Sequence, residues 1–275
     1  MNRPVPAYDG YVFDLDGTLL LGDRALPGAP ATVAALRAAG CSVRFLTNKP
    51  LERPAAYAEQ LTRLEISAQP DEVVTSTDAL IRYLRMHHPD HAALPVAEPL
   101  VTELLREAGL PVTGDPATAG VVVVSFDRTF DYAKLLAAYR AVRGGAVIVA
   151  TNPDPYCPTP DGGLPDCAAM LAAIEASTGV TAEAVVGKPS SHMAETLLSR
   201  LGVPPERTLL VGDRLDTDIA MGLQAGMDAA LVLTGATDRS DLAGSRWSPT
   251  FVLDHLTQLL PGTRPQPAAS SGDRR

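Results

Sequence analysis

The stretch Tyr11-Val12-Phe13-Asp14-Leu15-Asp16-Gly17-Thr18 reads as a short buried strand that ends in two carboxylates and a glycine. In a parallel sheet, ligands bind outside the carboxyl ends of the strands, and Asp14 and Asp16 fall there. Residues two apart on an extended chain share a face, so both carboxylates can serve one site. Gly17 lets the chain turn away. A calcium-binding EF-hand is excluded, because its glycine belongs at the sixth loop position and a glutamate must close the loop. Taken alone, the stretch is also compatible with an Asp-rich turn after a strand.

Outward from it, short β-branched runs alternate with Ala/Leu-rich stretches, the pattern of parallel α/β architecture. Helices are expected over residues 30–39, 54–64 and 78–86, with strands over 42–46 and at Val73-Val74. The Pro- and His-rich segment 87–99 reads as a boundary. Beyond it comes a second α/β set, helix 100–108, strand 121–124, helix 132–142 and strand 146–150, closed by a Pro/Gly/Asp-rich loop over 153–165. The first pattern then resumes with helices 168–177 and 191–201, strand 208–211, helix 217–225 and strand 229–233. From Pro261 onward the composition is that of a disordered tail.

At 275 residues and 46% hydrophobic, the chain can bury a core domain and a smaller second one. Its net charge of −9 argues against nucleic acid and anionic membranes as partners. An anionic substrate therefore needs a locally positive site, most simply a metal. Cys41, Cys157 and Cys167 are too few and too irregularly spaced for a disulfide framework or a zinc cluster, which suits a reducing compartment. No leader-like or membrane-spanning apolar run is seen, so a cytoplasmic location is expected. His87-His88-Pro89-Asp90-His91 reads as a solvated linker, since Pro89 prevents a helix from aligning the histidines. Trp247 and Tyr139 are read as packing residues and Cys167 as structural. No Gly-x-Gly-x-x-Gly follows a strand, so a dinucleotide fold is not supported.

Three further constellations carry chemistry. Leu46-Thr47-Asn48 leaves a strand and enters a helical segment, where a hydroxyl and N–H groups suit phosphate oxygens; the same residues suit a helix N-cap. Gly187-Lys188-Pro189 places a compact positive charge just before a helix. Gly212-Asp213-Arg214-Leu215-Asp216-Thr217-Asp218 follows a strand with carboxylates that would repel unless a cation held them. Hard oxygen donors of this kind select Mg²⁺ over zinc, although Asp216 or Asp218 also suits a helix cap. All four constellations are expected at strand ends.

Asp-x-Asp-Gly-Thr, then Thr-Asn, then Lys-Pro, then Gly-Asp with a later Asp resembles the haloacid dehalogenase superfamily of phosphatases. Gly212 to Ile219, Asp127 to Tyr132 and Thr151 to Asp154 resemble its NagD-like, C2-capped subgroup, with similarity over residues 8–260. The resemblance implies a Rossmann-like core, a parallel sheet flanked by helices, with an inserted α/β C2-type cap. The core is expected over residues 1–82 and 184–262, the cap over 83–183, and the tail over 263–275. Too few residues separate Asp14 from Thr47 to hold a cap, whereas the stretch between Asn48 and Gly187 accommodates one. The resemblance further implies that Asp14 is a nucleophile that becomes an aspartyl-phosphate, and that Asp16 is the general acid and base. Asp14, the Asp16 backbone carbonyl and Asp213 would hold Mg²⁺. Asp218 would orient a metal-bound water or Lys188, and Thr47, Asn48 and Lys188 would bind the phosphoryl oxygens.

The implied activity is hydrolysis of small phosphomonoesters: sugar, polyol or glycolate-like phosphates. Nucleotide or pyridoxal phosphates are the alternative, ahead of a phosphomutase or a catalytically silent binding module. Two departures leave specificity open. Lys49-Pro50 replaces the small or polar residue usual after Thr-Asn, so Lys49 either meets a second anionic group on the substrate or is a solvated lysine. Pro165-Asp166-Cys167-Ala168 replaces the usual Pro-Gly-x-Gly. Asp166 either caps the next helix or contacts substrate hydroxyls, as could Cys157 or Tyr156. Pairing into a homodimer is left open.

Overall fold

The computed structural model describes residues 5–159 and 162–260, so the expected tail lies outside the described residues. The chain opens with β1 (Gly10–Asp14), a small antiparallel pair β2 (Leu20–Leu21) and β3 (Arg24–Ala25), α1 (Ala29–Ala38), β4 (Ser42–Thr47), α2 (Pro54–Arg63), β5 (Val73–Thr75) and α3 (Ser76–His87). An inserted set follows: β6 (Ala92–Val96), α4 (Pro99–Glu107), β7 (Ala119–Val124), α5 (Tyr132–Arg143), β8 (Val147–Ala150), β9 (Tyr156–Thr159), β10 (Gly162–Pro165), α6 (Cys167–Thr178) and β11 (Ala184–Val185). The chain then returns through α7 (Ser191–Leu201), β12 (Thr208–Gly212), α8 (Ala220–Gln224), β13 (Asp228–Val232) and β14 (Phe251–Leu253).

Two parallel sheets result. The larger has the order β14-β13-β12-β1-β4-β5, and the inserted one β11-β8-β7-β6. Strand alternation builds three apolar layers from them. Tyr11 and Phe13 on β1 join Phe45, Leu209 and Val211 on one face of the large sheet. Val12, between them, points the other way with Leu46 and Leu210, into a layer that also holds Val121, Val123 and Val149 of the inserted sheet. Val122 and Val124 turn to the far side, against Ile148 and Ile174. Both sheets are covered on both faces, which is why their strands are continuous apolar runs. Core and cap therefore share the middle layer.

Helix starts follow local capping. The Thr75 hydroxyl accepts from the Asp78 N–H at 3.3 Å, and the Asp78 carboxylate accepts from the Thr75 N–H at 2.8 Å, a capping box for α3. Asp131 caps α5 by accepting from the Lys134 N–H at 2.8 Å.

Several expectations need correction. The boundary segment 87–99 contains β6, an edge strand of the cap sheet, and an edge tolerates its Pro95. The expected loop 153–165 contains the antiparallel pair β9 and β10. Tyr139 is exposed rather than packed, whereas Trp247 is partly buried against Leu215 and Ile219. His88 is no solvated linker residue: its Nε2 lies 2.6 Å from Glu183 Oε1, which also accepts from the Tyr83 hydroxyl at 2.6 Å. His87 and His91 are exposed, as expected.

Candidate active site

Asp14 ends β1, Thr47 ends β4 and Gly212 ends β12, so three adjacent strands deliver Asp14, Thr47 and Asp213 to one edge of the large sheet. This edge lies where the strand order reverses around β1, the usual place for a ligand. Lys188 arrives by another route, although it does lie after a strand and just before a helix as expected. It follows β11 of the cap sheet and crosses back into the core ahead of α7. Asn48 fixes it there. Its Oδ1 accepts from the Lys188 N–H at 2.8 Å, and its Nδ2 donates to the Lys188 carbonyl at 3.2 Å and to Asp154 Oδ2 at 2.9 Å. The Asn48 side chain is thus a clamp between core and cap.

The Lys188 ammonium pairs with Asp14 Oδ1 and, at 2.7 Å, with Asp218 Oδ1. Asp14, Asp213 and Asp218 are buried, and one carboxylate oxygen from each lies within 4.8 Å of the others. Three carboxylates outnumber the Lys188 ammonium and the nearby Arg214 guanidinium, so negative charge is in excess. Burial and the Asp218 carboxylate raise Asp213 to about 6. Burial likewise holds Asp14 well above its ordinary range, with Lys188 opposing and Asp218 and Asp213 reinforcing it. Lys188 itself is raised: burial works against its charge, but Asp14 and Asp218 outweigh it, so it stays an ammonium.

Backbone geometry makes this crowding feasible. Gly17 has φ +83°, and a Cβ there would run into the Asp213 carboxylate. At Gly212 a Cβ would collide with Asp218. The helix expected from 217 begins instead with a wide π-turn over Leu215–Ile219. That turn brings Asp218 Oδ2 to accept from the Arg214 N–H at 3.1 Å while its other oxygen meets Lys188.

A family model described as haloacid dehalogenase-like hydrolase matches residues 11–111, and a second HAD-hydrolase-like model matches residues 185–259. The 5'-nucleotidase YutF of Bacillus subtilis is 34% identical over 254 residues, covering 92% of this chain and 98% of that protein. Sugar-phosphatase AraL of the same organism is 34% identical over 250 residues, with 91% of each chain covered. The crystal structure of a 4-nitrophenylphosphatase from Thermotoga maritima superposes with a TM-score of 0.86 at 32% identity, covering 92% of this chain and 96% of that one. The chain belongs to the haloacid dehalogenase-like hydrolase family. Within it, the inserted α/β cap and the NagD-like relatives place it in the C2-capped branch.

The donor set of this hydrolase fits a divalent cation. Asp213 Oδ2 accepts from the Ala236 N–H at 2.6 Å, but its Oδ1 is buried with no hydrogen-bond partner among the described residues. A buried anionic oxygen without a donor is costly, and a doubly charged ion would offset the excess charge. A stability prediction follows. The Asp14 and Asp213 pKa values are raised on folding, so their stabilising contribution is full below ~pH 4 and is lost as pH rises through the folded values, about 6 for Asp213. Without metal, Tm should fall between pH 5 and 7.5 as these groups ionise. A divalent cation held by these carboxylates would compete with protons, so added Mg²⁺ should raise Tm more at pH 7.5 than at pH 5; at a hundredfold excess over Kd its total stabilisation would be about 2.7 kcal/mol. Differential scanning fluorimetry at both pH values checks this; equal shifts would contradict it.

Sequence reasoning quoted two further residues within its motifs but gave them no role. Asp154, beside Asn48 on the cap side, and Arg214, which follows β12 of the core and is charge-coupled to Asp213, Asp154, Asp218 and Asp14, both reach the site. A signal was available: Thr151-Asn152 leaves β8 as Thr47-Asn48 leaves β4, and Asn152 Nδ2 donates to the Asn48 carbonyl at 3.3 Å. Asp166 is the N-cap of α6, accepting from the Cys167 N–H at 2.6 Å, and burial raises its pKa to about 6. Lys49 is not a free lysine, since its Nζ lies 2.9 Å from Asp16 Oδ2. Among the described residues, no helix is long and apolar enough to cross a membrane.

Proposed function

We propose that this chain is a Mg²⁺-dependent phosphatase that hydrolyses small sugar, polyol or glycolate-like phosphates through an aspartyl-phosphate on Asp14. The observation that carries it is the buried Asp14 carboxylate, paired with Lys188 at the end of the central strand, among carboxylates that call for a divalent cation. In the first step an Asp14 oxygen attacks phosphorus in line; the new O–P bond forms as the bond to the substrate oxygen breaks. Asp16 gives its proton to that departing oxygen. In the second step a water attacks phosphorus, its proton passes to Asp16, and the bond to Asp14 breaks, releasing phosphate. Lys188, the Thr47 hydroxyl and the N–H at Asn48 would bind the phosphoryl oxygens and stabilise the charge that spreads over them. Asp14, the Asp16 backbone carbonyl and Asp213 would hold Mg²⁺, with Asp218 orienting Lys188. When bound, Mg²⁺ would neutralise charge on the nucleophile and the phosphoryl oxygens.

The same reading divides the chain into a core, residues 1–82 and 184–262, and a cap, residues 83–183; the two separate parallel sheets support a division of this kind, but β11 at residues 184–185 pairs within the cap sheet and moves the second boundary past it. A cap over the site limits entry to small molecules. Relatives named as a sugar phosphatase and a 5'-nucleotidase are equally similar, at 34% identity. Asp154 on the cap side favours hydroxyl-rich substrates, since a carboxylate accepts from hydroxyls and repels a second phosphate. Among the described residues no disulfide joins Cys41, Cys157 or Cys167, which suits a reducing, cytoplasmic setting.

The test is phosphate release from a metabolite panel. Sugar and polyol phosphates should rank above nucleotides in kcat/KM with Mg²⁺ supplied. EDTA should abolish release, and added Mg²⁺ should restore it. No release from any ester with metal present would end this reading.

A further inference from the structure

Asp16 is the loosest carboxylate of the site. Its side chain is 35% exposed, and among the described residues its one charged partner is Lys49. The proposed chemistry asks this carboxylate to reach the departing oxygen and then a water, so its orientation matters as much as its proton. Lys49 is itself well anchored. Its N–H donates to Thr47 Oγ1 at 3.1 Å, and its carbonyl accepts from the Tyr57 hydroxyl at 3.1 Å. Its side chain runs between Asp16 of the core and Cys157 of the cap strand β9, hydrogen-bonding to both.

We infer that Lys49 is a positioning residue: it holds the Asp16 carboxylate at the reacting oxygen by bridging it to Cys157 of the cap. The inference rests on the proposed function and adds to it a residue outside the four motifs. A role in meeting a second substrate anion fits the surroundings less well, since the Lys49 charge already faces Asp16 and is felt by Asp166. The position after Thr47-Asn48 is the one from which a long side chain can reach from the β4 loop to the β1 loop. The first Asp-x-Asp loop and the cap are thereby mechanically joined: opening the cap removes Cys157 from Lys49 and loosens the hold on Asp16.

The test uses the dependence on the leaving group. p-Nitrophenolate departs without a proton, whereas an alkoxide does not, and kcat/KM reports the step in which it departs. With Mg²⁺ supplied, the ratio of kcat/KM for glycerol 2-phosphate to that for p-nitrophenyl phosphate should fall about tenfold in Lys49→Met. Lys49→Arg should keep the ratio near wild type. Asp16→Asn should lower it further, and adding Lys49→Met to Asp16→Asn should change it no more. Equal losses on both esters in Lys49→Met would assign Lys49 a merely structural role and overturn the inference. So would additive effects in the double variant, or an unchanged ratio with KM rising only for substrates that carry a second anion. Turnover persisting in Asp14→Asn would overturn the proposed function and this inference together. A normal leaving-group response in Asp16→Asn with none in Lys49→Met would sink the inference alone.

Discussion

Asp14→Asn should abolish turnover while making the metal-free protein more stable. The loss follows from the proposed role: an amide oxygen is a poor nucleophile and no acyl phosphate can form, so kcat should drop by ~10⁴-fold or more. The stability gain follows from the charge count. Asp14, Asp213 and Asp218 outnumber the Lys188 ammonium and the nearby Arg214 guanidinium, and burial holds the Asp14 pKa well above its ordinary range. Replacing one of these carboxylates by an isosteric amide removes part of that repulsion. Its oxygen can still accept from Lys188. Above pH 6 and without Mg²⁺, Tm should therefore rise, and the extra stabilisation that Mg²⁺ gives the wild type should shrink. Acid quenching of the wild type with labelled substrate should trap phosphate on the protein, and the variant should trap none. A variant that keeps turning over would remove Asp14 from the chemistry, whatever its Tm.

How far the sequence could be read depended on how local each cause was. Strand β1 and its carboxylates were legible because one short run contains both the alternation that buries Tyr11, Val12 and Phe13 on two faces and the glycine that turns the chain. The route of Lys188 was not. Its partner Asp14 lies 174 residues away, and no pattern near Lys188 says that it comes from the cap sheet. The hairpin of β9 and β10 was read as a loop because proline and glycine dominate it. Strand β14, only three residues long, carries too little periodicity to detect. The pairing of Lys49 with Asp16 had no sequence signal either, since it depends on adjacent parallel strands ending level with one another.

Lys188→Met tests the electrostatic side of the same cluster, and its two effects should separate on adding metal. Lys188 is 3% exposed, and its ammonium is the counter-charge for Asp14 and Asp218. Methionine nearly conserves the volume, so packing is kept and the charge alone is lost. Two buried carboxylates then lose their partner, which costs about 3–5 kcal/mol when a buried pair is broken on one side. The carboxylates should respond by taking up protons, so the destabilisation should be smaller at pH 5 than at pH 7.5. A divalent cation can supply the missing charge. Urea unfolding at pH 7.5 should show the loss without metal and a partial recovery with Mg²⁺. Activity should not recover with it. On the role proposed for Lys188, a cation held by the carboxylates cannot replace a donor to the phosphoryl oxygens, and losing one such donor costs ~10²–10³-fold in kcat. Recovery of stability together with kcat would mean that Lys188 acts only as a counter-ion. Recovery of stability with kcat still depressed would separate its part in folding from its part in the reaction.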